Sequence, residues 1–207
     1  MLDEKGFDLW ADGYDKAVGL SDEDNTYPFA GYKAVLAEVF SRIISTPGAD
    51  VLDIGFGTAT LTAKLYERGC NVYGQDFSEK MIEIAQAKMP DAALYNGDFS
   101  KGLAAPLLER KYDFIVATYS LHHLTDEEKV PFIRMLLGLL KDGGKLLIGD
   151  IAFASAEDLQ RCKAYAGTDW DEDEYYFVAD ELRKAFPYLS FIPESFCAGV
   201  LTIGLGQ

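Results

Sequence analysis

A chain of 207 residues with 49% hydrophobic side chains can bury the core of one full-sized globular domain, and two would be a tight fit. Its 34 acidic against 19 basic residues give a net charge of -15, a field that repels phosphate backbones, so a nucleic-acid partner is not expected and small-molecule chemistry is favoured. Cys70, Cys162 and Cys197 are too scattered for a disulfide framework or a paired-cysteine metal site.

Met1–Lys5 lacks the basic and apolar regions of a secretory signal. No apolar stretch approaches the roughly 20 residues that span a bilayer, so the expected address is cytoplasmic with no membrane partner. Two amphipathic helical patterns come first, at 7–18 and 30–44, separated by the polar segment Ser21–Asn25. From residue 50 the texture changes to short apolar runs alternating with helical patterns. The runs are Val51–Ile54, Val72–Tyr73, Ala92–Tyr95, Phe114–Thr118 and Leu146–Ile151. That alternation predicts βαβ units and a parallel sheet.

Between the strands, Ser78 is the expected N-cap of a helix over 81–88 that Pro90 stops. Thr125-Asp126-Glu127-Glu128 reads as a capping box opening a helix that runs through Phe132, Leu136 and Leu140 and ends at Lys141-Asp142-Gly143-Gly144. Two further helical patterns follow residue 151. The closing runs Leu189–Ile192 and Val200–Ile203, joined by a short link, predict an antiparallel edge.

Directly after the first core strand, Gly55 and Gly57 let the backbone turn sharply and approach a ligand at the start of the next helix, placed near Thr58. Many strand-to-helix turns need such glycines without binding anything, so the pair is weak by itself. Carboxylates at three successive strand ends strengthen it, because open α/β sheets bind ligands outside the carboxyl ends of their strands. Asp53 lies beside the glycines. Asp76 ends the second strand, where it can accept from both hydroxyls of a ribose, and Asp98 follows the third, where it can accept from the exocyclic amine of adenine. Each aspartate taken singly also fits a helix cap or turn. Thr60 stands where a nicotinamide dinucleotide loop wants its third glycine, and Asp53 suits an ammonium better than a pyrophosphate.

Over residues 30–207 the chain resembles the class I S-adenosylmethionine-dependent methyltransferases. The resemblance is carried by Val51-Leu52-Asp53-Ile54-Gly55-Phe56-Gly57-Thr58, Asp76-Phe77-Ser78-Glu79-Lys80-Met81, Gly97-Asp98-Phe99, Tyr112–Val116 with Leu121-His122-His123-Leu124, and Leu140–Gly144. It implies a doubly wound, mostly parallel seven-stranded Rossmann-like sheet in a single domain, with residues 1–48 as an N-terminal helical cap and 49–207 as the α/β core. It also implies S-adenosylmethionine as cofactor. Asp53, Gly55 and Gly57 would surround its methionine part, with Asp76 at the ribose, Asp98 and Phe99 at the adenine, Phe77 and Met81 as apolar walls, and Thr118 beside them. Where the family often has glycine, this chain has Ala59, a methyl group expected to be tolerated. Tyr14 and Tyr32 would close over the cofactor as a lid; aromatic core packing is the plain alternative.

Methyl transfer from a sulfonium is an in-line displacement, so holding the acceptor in line can suffice without a catalytic side chain. If a base is used, the candidates near the fourth strand's end are Tyr119, His122 and His123. The alternative is a loop in which one imidazole packs inward and the other caps backbone. No metal is expected, since adjacent histidines are expected to point apart and no Cys or carboxylate cluster shares their spacing. The acidic run Asp169, Asp171, Glu172, Asp173 and Glu174 reads as solvated surface, or as the border of an acceptor pocket with Trp170, Tyr175 and Tyr176. The expected function is methyl transfer to a small molecule by a monomer or homodimer. The rivals are an NAD(P)-dependent oxidoreductase and a domain that binds S-adenosylmethionine without catalysis.

Overall fold

A computed structural model describes residues 25–204 of the chain. The predicted helix at 7–18 and Tyr14 lie outside the described residues. Helix α1 (Tyr32–Ile43) is followed by strand β1 (Asp50–Ile54), α2 (Thr60–Glu67), β2 (Asn71–Asp76), α3 (Glu79–Lys88), β3 (Ala93–Asn96), α4 (Ala105–Leu108) and β4 (Tyr112–Thr118). Then come α5 (Asp126–Leu137), β5 (Leu140–Phe153), α6 (Ala156–Ala166), β6 (Phe177–Val178), α7 (Ala179–Leu182), β7 (Ser190–Pro193) and β8 (Ala198–Gly204).

The sheet runs β3-β2-β1-β4-β5-β8-β7, with β6 pairing β5 off that path, so eight strands are joined where the resemblance implied seven. Pairs along β3 to β5 are parallel, and β8 is antiparallel to both β5 and β7. The predicted antiparallel edge is therefore present. The added strand, β6, contributes only Phe177 and Val178, which pair with Ala152 and Phe153 at the end of a β5 longer than its apolar run. A two-residue strand carries too little period-2 signal to be read from sequence. Leu140, predicted in a helix, opens β5 instead; the helix ends at Leu137.

The parallel strands are apolar without interruption because helices cover both faces. On one face Val51, Val116, Leu147 and Val200 pack under α1 and α2 through Val35, Val39, Leu61 and Leu65. On the other, Leu52, Ile54, Ile115, Leu146 and Ile148 pack with Ile133 and Leu136 of α5. Leu52, Ile54 and Ile115 are fully buried, and each such side chain contributes about 1.5–3 kcal/mol of hydrophobic stabilisation. The predicted caps hold. Ser78 accepts the Met81 N–H, while Thr125 and Glu128 form a reciprocal capping box at the start of α5. These caps and layers bring the ends of β1, β2, β3 and β4 flush along one edge. The chain reverses its winding direction between β1 and β4, a topological switch point where such sheets bind ligands.

Candidate functional site

Gly55 follows β1 with φ +72, and a Cβ built there would sit 2.7 Å from Ser120 Cβ, whose hydroxyl donates to the Ile54 carbonyl at 2.7 Å. Glycine is required at this position by both conformation and space. Gly57, with φ +53, differs in that a Cβ there would meet nothing within 4 Å. Ala59 caps α2 with φ 59, in the left-handed region that favours glycine. Its methyl is fully buried against Phe56, Ala63 and Met89, which offsets that strain.

Asp53 projects from β1 toward the start of α2, where its Oδ2 accepts from the Thr62 hydroxyl at 2.9 Å. The other oxygen, Oδ1, is buried without a hydrogen-bond partner among the described residues. Burial pushes this carboxyl up to about 7, against the Thr62 hydrogen bond. Around it lies a cavity of about 100 Å³ lined by Tyr32, Gly55, Gly57, Thr118 and Tyr119. Among the described residues, the cavity walls supply no cation to Asp53. A buried carboxylate oxygen facing a glycine-lined cavity is matched by a ligand ammonium, and a pyrophosphate would be repelled.

Asp76, at the end of β2, is buried and accepts the Gly57 N–H at 2.8 Å on Oδ2 and the Ser78 N–H at 2.9 Å on Oδ1. One carboxylate thus shapes the glycine loop and orients the start of α3 while keeping lone pairs toward the sheet edge. Asp98 is half-exposed and holds Ser100 and Lys101; the Ser100 hydroxyl at 2.6 Å keeps its carboxyl below the usual range. Phe77 is 73% exposed at the rim, Met81 is half-buried, and the Phe99 ring turns into the core, 5.7 Å from Phe132. Tyr32 is both cavity wall and core, its ring 5.0 Å from that of Tyr119.

The three acceptor-side candidates divide. Tyr119 has φ 50, a strained conformation for a bulky residue, and joins the Tyr32 side of the cavity. His122 and His123 occupy a 3-10 turn after β4, with rings 4.2 Å apart, so they converge where sequence reasoning expects divergence. His122 is buried, and its Nδ1 lies 2.7 Å from Oδ1 of Asp150, a fully buried residue of β5. Its Nε2 lies 3.4 Å from Oε1 of Glu174. Burial opposes the charged ring, but Asp150 and then Glu174 prevail and raise its pKa above that of ordinary imidazole. Burial and the His122 charge hold His123 below it.

Glu174 reaches this place through backbone contacts. The Tyr175 N–H donates to the His122 carbonyl at 2.8 Å, and the buried Lys129 ammonium donates to the Tyr175 carbonyl. The rest of the acidic run goes elsewhere. Glu172 pairs with Lys163 at 2.7 Å, and Asp171 accepts from the Asp173 N–H at 2.8 Å. Asp150 was the residue that sequence reasoning missed; it sits in an apolar run, where a lone carboxylate at a strand's carboxyl end is the one signal available.

The profile of the methyltransferase domain family matches residues 51–144. An uncharacterized methyltransferase of Geobacillus sp. (strain WCH70) is 38% identical over 203 residues, covering 97% of this chain and 90% of that one. One of Anoxybacillus flavithermus is 37% identical over 187 residues, covering 87% and 85%. Among solved structures, the magnesium protoporphyrin IX methyltransferase of Synechocystis PCC 6803 with bound S-adenosylhomocysteine superposes with a TM-score of 0.69 at 23% identity, covering 98% of this chain and 95% of that one. An S-adenosylmethionine-dependent methyltransferase of Clostridium acetobutylicum gives 0.66 at 16% identity, covering 93% and 98%.

Proposed function

The chain belongs to the class I S-adenosylmethionine-dependent methyltransferases, and from that premise we propose that it methylates a small-molecule acceptor beside the β4 end of the sheet. S-adenosylmethionine is the methyl donor. The observation that carries the cofactor assignment is the unpartnered, buried Oδ1 of Asp53 in the glycine-lined cavity. In this reading Asp53 binds the methionine ammonium, and Gly57 leaves the space that the methionine part fills. Asp76 accepts from the ribose hydroxyls, Asp98 faces the adenine amine with Phe99 behind it, and Phe77 and Met81 flank the base. Thr118, Tyr32 and Tyr119 wall the reacting end. What the cofactor supplies is an electrophilic methyl group on a sulfonium; the chain's task is to hold donor and acceptor in line and exclude water.

On the acceptor side, His122, oriented by Asp150, and His123 assist loss of the acceptor proton. The small-molecule reading is supported by the chain's charge of -15 and by a cavity of about 540 Å³ beside Glu174, walled by Trp170, Tyr175 and Tyr176. That volume suits a small ligand. Calorimetry is expected to show S-adenosylhomocysteine binding and no NADH binding. Donor consumption measured across a panel of small metabolites, with RNA and protein in parallel, tests the acceptor class; turnover on a macromolecule alone would overturn it.

Asp53 also makes cofactor binding pH-dependent. Below about 7 the free chain holds this carboxyl neutral, whereas an ammonium ligand binds the carboxylate. Affinity for S-adenosylhomocysteine is therefore expected to fall by up to tenfold per pH unit below that value and to level off above it. The stability of the free chain has the opposite sign. Between 3.8 and about 7 the folded state binds a proton that the unfolded state has lost, so this group's contribution to stability falls as pH rises. Asp53→Asn should abolish the pH slope of binding, and an unaltered slope in that variant would mean that another group titrates.

A further inference from the structure

We infer that His122, His123 and Glu174 form a binding site for one zinc ion, with Asp150 as the carboxylate behind it. The ligand-bearing atoms of the three side chains lie within 4.8 Å of one another. The 3.4 Å between His122 Nε2 and Glu174 Oε1 is long for a charge-assisted hydrogen bond. It matches the edge of a tetrahedron with metal bonds of about 2.0–2.1 Å, which is about 3.3–3.4 Å. His123 is exposed, so its ring can close the remaining gap by side-chain rotation alone.

An independent observation comes from the far side of the ring. Histidines that ligate metals almost always donate their other N–H to a carboxylate or carbonyl, which sets the tautomer and raises ligand basicity. His122 Nδ1 makes that bond to Asp150 at 2.7 Å, so the Nε2 lone pair faces Glu174 and His123. Asp150 is fully buried, and the His122 ring and the Ile151 N–H are the partners that offset the cost of holding a carboxylate there. Two imidazoles and one carboxylate are the donor set of zinc sites that keep an open fourth position. Oxygen-preferring magnesium or calcium suits this set poorly.

The inference rests on the acceptor-side placement in the proposed function and changes how that side would work, since imidazoles bound to zinc no longer accept the acceptor proton themselves. Bound zinc would occupy Nε2 and lower the pKa of an acceptor hydroxyl or thiol in the open position, its proton passing to solvent. The cofactor side is untouched.

The test is calorimetric titration of the chelator-treated full chain with zinc alone, in excess magnesium to fill the acidic surface, followed by cobalt substitution read by visible absorption. One saturable zinc per chain is expected, with the intense visible bands of four-coordinate cobalt. His123→Ala and Glu174→Gln, both at solvent-accessible positions, should each weaken binding at least 10–100-fold, the range measured for losing even a supporting partner. Absence of saturable binding overturns the site, and so does binding that both variants retain unchanged. Binding of S-adenosylhomocysteine to the same metal-free chain is measured in parallel. Its persistence when zinc fails would separate an error here from an error in the cofactor reading.

Discussion

Asp76→Ala is expected to weaken S-adenosylhomocysteine binding by about 100-fold or more, since two charge-assisted hydrogen bonds to a ribose contribute about 1.5 kcal/mol or more each and 1.4 kcal/mol is tenfold. The same carboxylate accepts the Gly57 and Ser78 N–H groups at 2.8 and 2.9 Å, so the alanine also frees the glycine loop from β2. Loss of those bonds should cost roughly 1–3 kcal/mol of stability, or a fall in Tm of about 2–4 °C per kcal/mol for a chain of this size. Asp76→Asn, which keeps one acceptor oxygen, should lie between wild type and alanine in both measurements. Calorimetry at a fixed pH above 7 with thermal unfolding checks both readouts. Undiminished affinity in the alanine variant would remove Asp76 from the ribose.

The two loop glycines are expected to fail in opposite ways. Gly55→Ala forces a methyl within 2.7 Å of Ser120 Cβ at φ +72; left-handed strain of about 1–2 kcal/mol adds to overpacking of about 1–3 kcal/mol. A Tm drop of about 4–20 °C follows at about 2–4 °C per kcal/mol. Gly57→Ala carries the backbone strain alone, because its Cβ enters open space. Its stability loss should stay near 1–2 kcal/mol. That open space is, in the proposed reading, where the methionine part lies, so affinity should fall well beyond what the stability loss explains. Equal and small effects of both substitutions on cofactor binding would place the ligand elsewhere.

Much of the cofactor side was legible in the residues because it is local. The turn after β2, the Ser78 cap and the Thr125 box each depend on side chains reaching their own backbone two or three residues away, and such chemistry is written in sequence spacing. Apolar runs alternating with helical patterns announced the parallel sheet for the same reason. The double duty of Asp76 was less legible: its bond to Gly57 crosses from β2 to the β1 loop.

The acceptor side shows what sequence by itself leaves open. Periodicity pointed to a parallel α/β sheet and its strand ends, and the family resemblance carried by the glycine-aspartate motifs implied the methyl donor. Tertiary structure alone decided that His122 meets Asp150 on β5 and that Tyr175 and Lys129 carry Glu174 to the histidine pair, while Glu172, two residues earlier, turns away to Lys163. His122 lies 28 positions from Asp150, and Lys129 lies 46 from Tyr175; strand register and hydrogen bonds to the Tyr175 backbone join them. No spacing rule reaches so far, since the contact exists only once β4, β5 and the segment before β6 have packed.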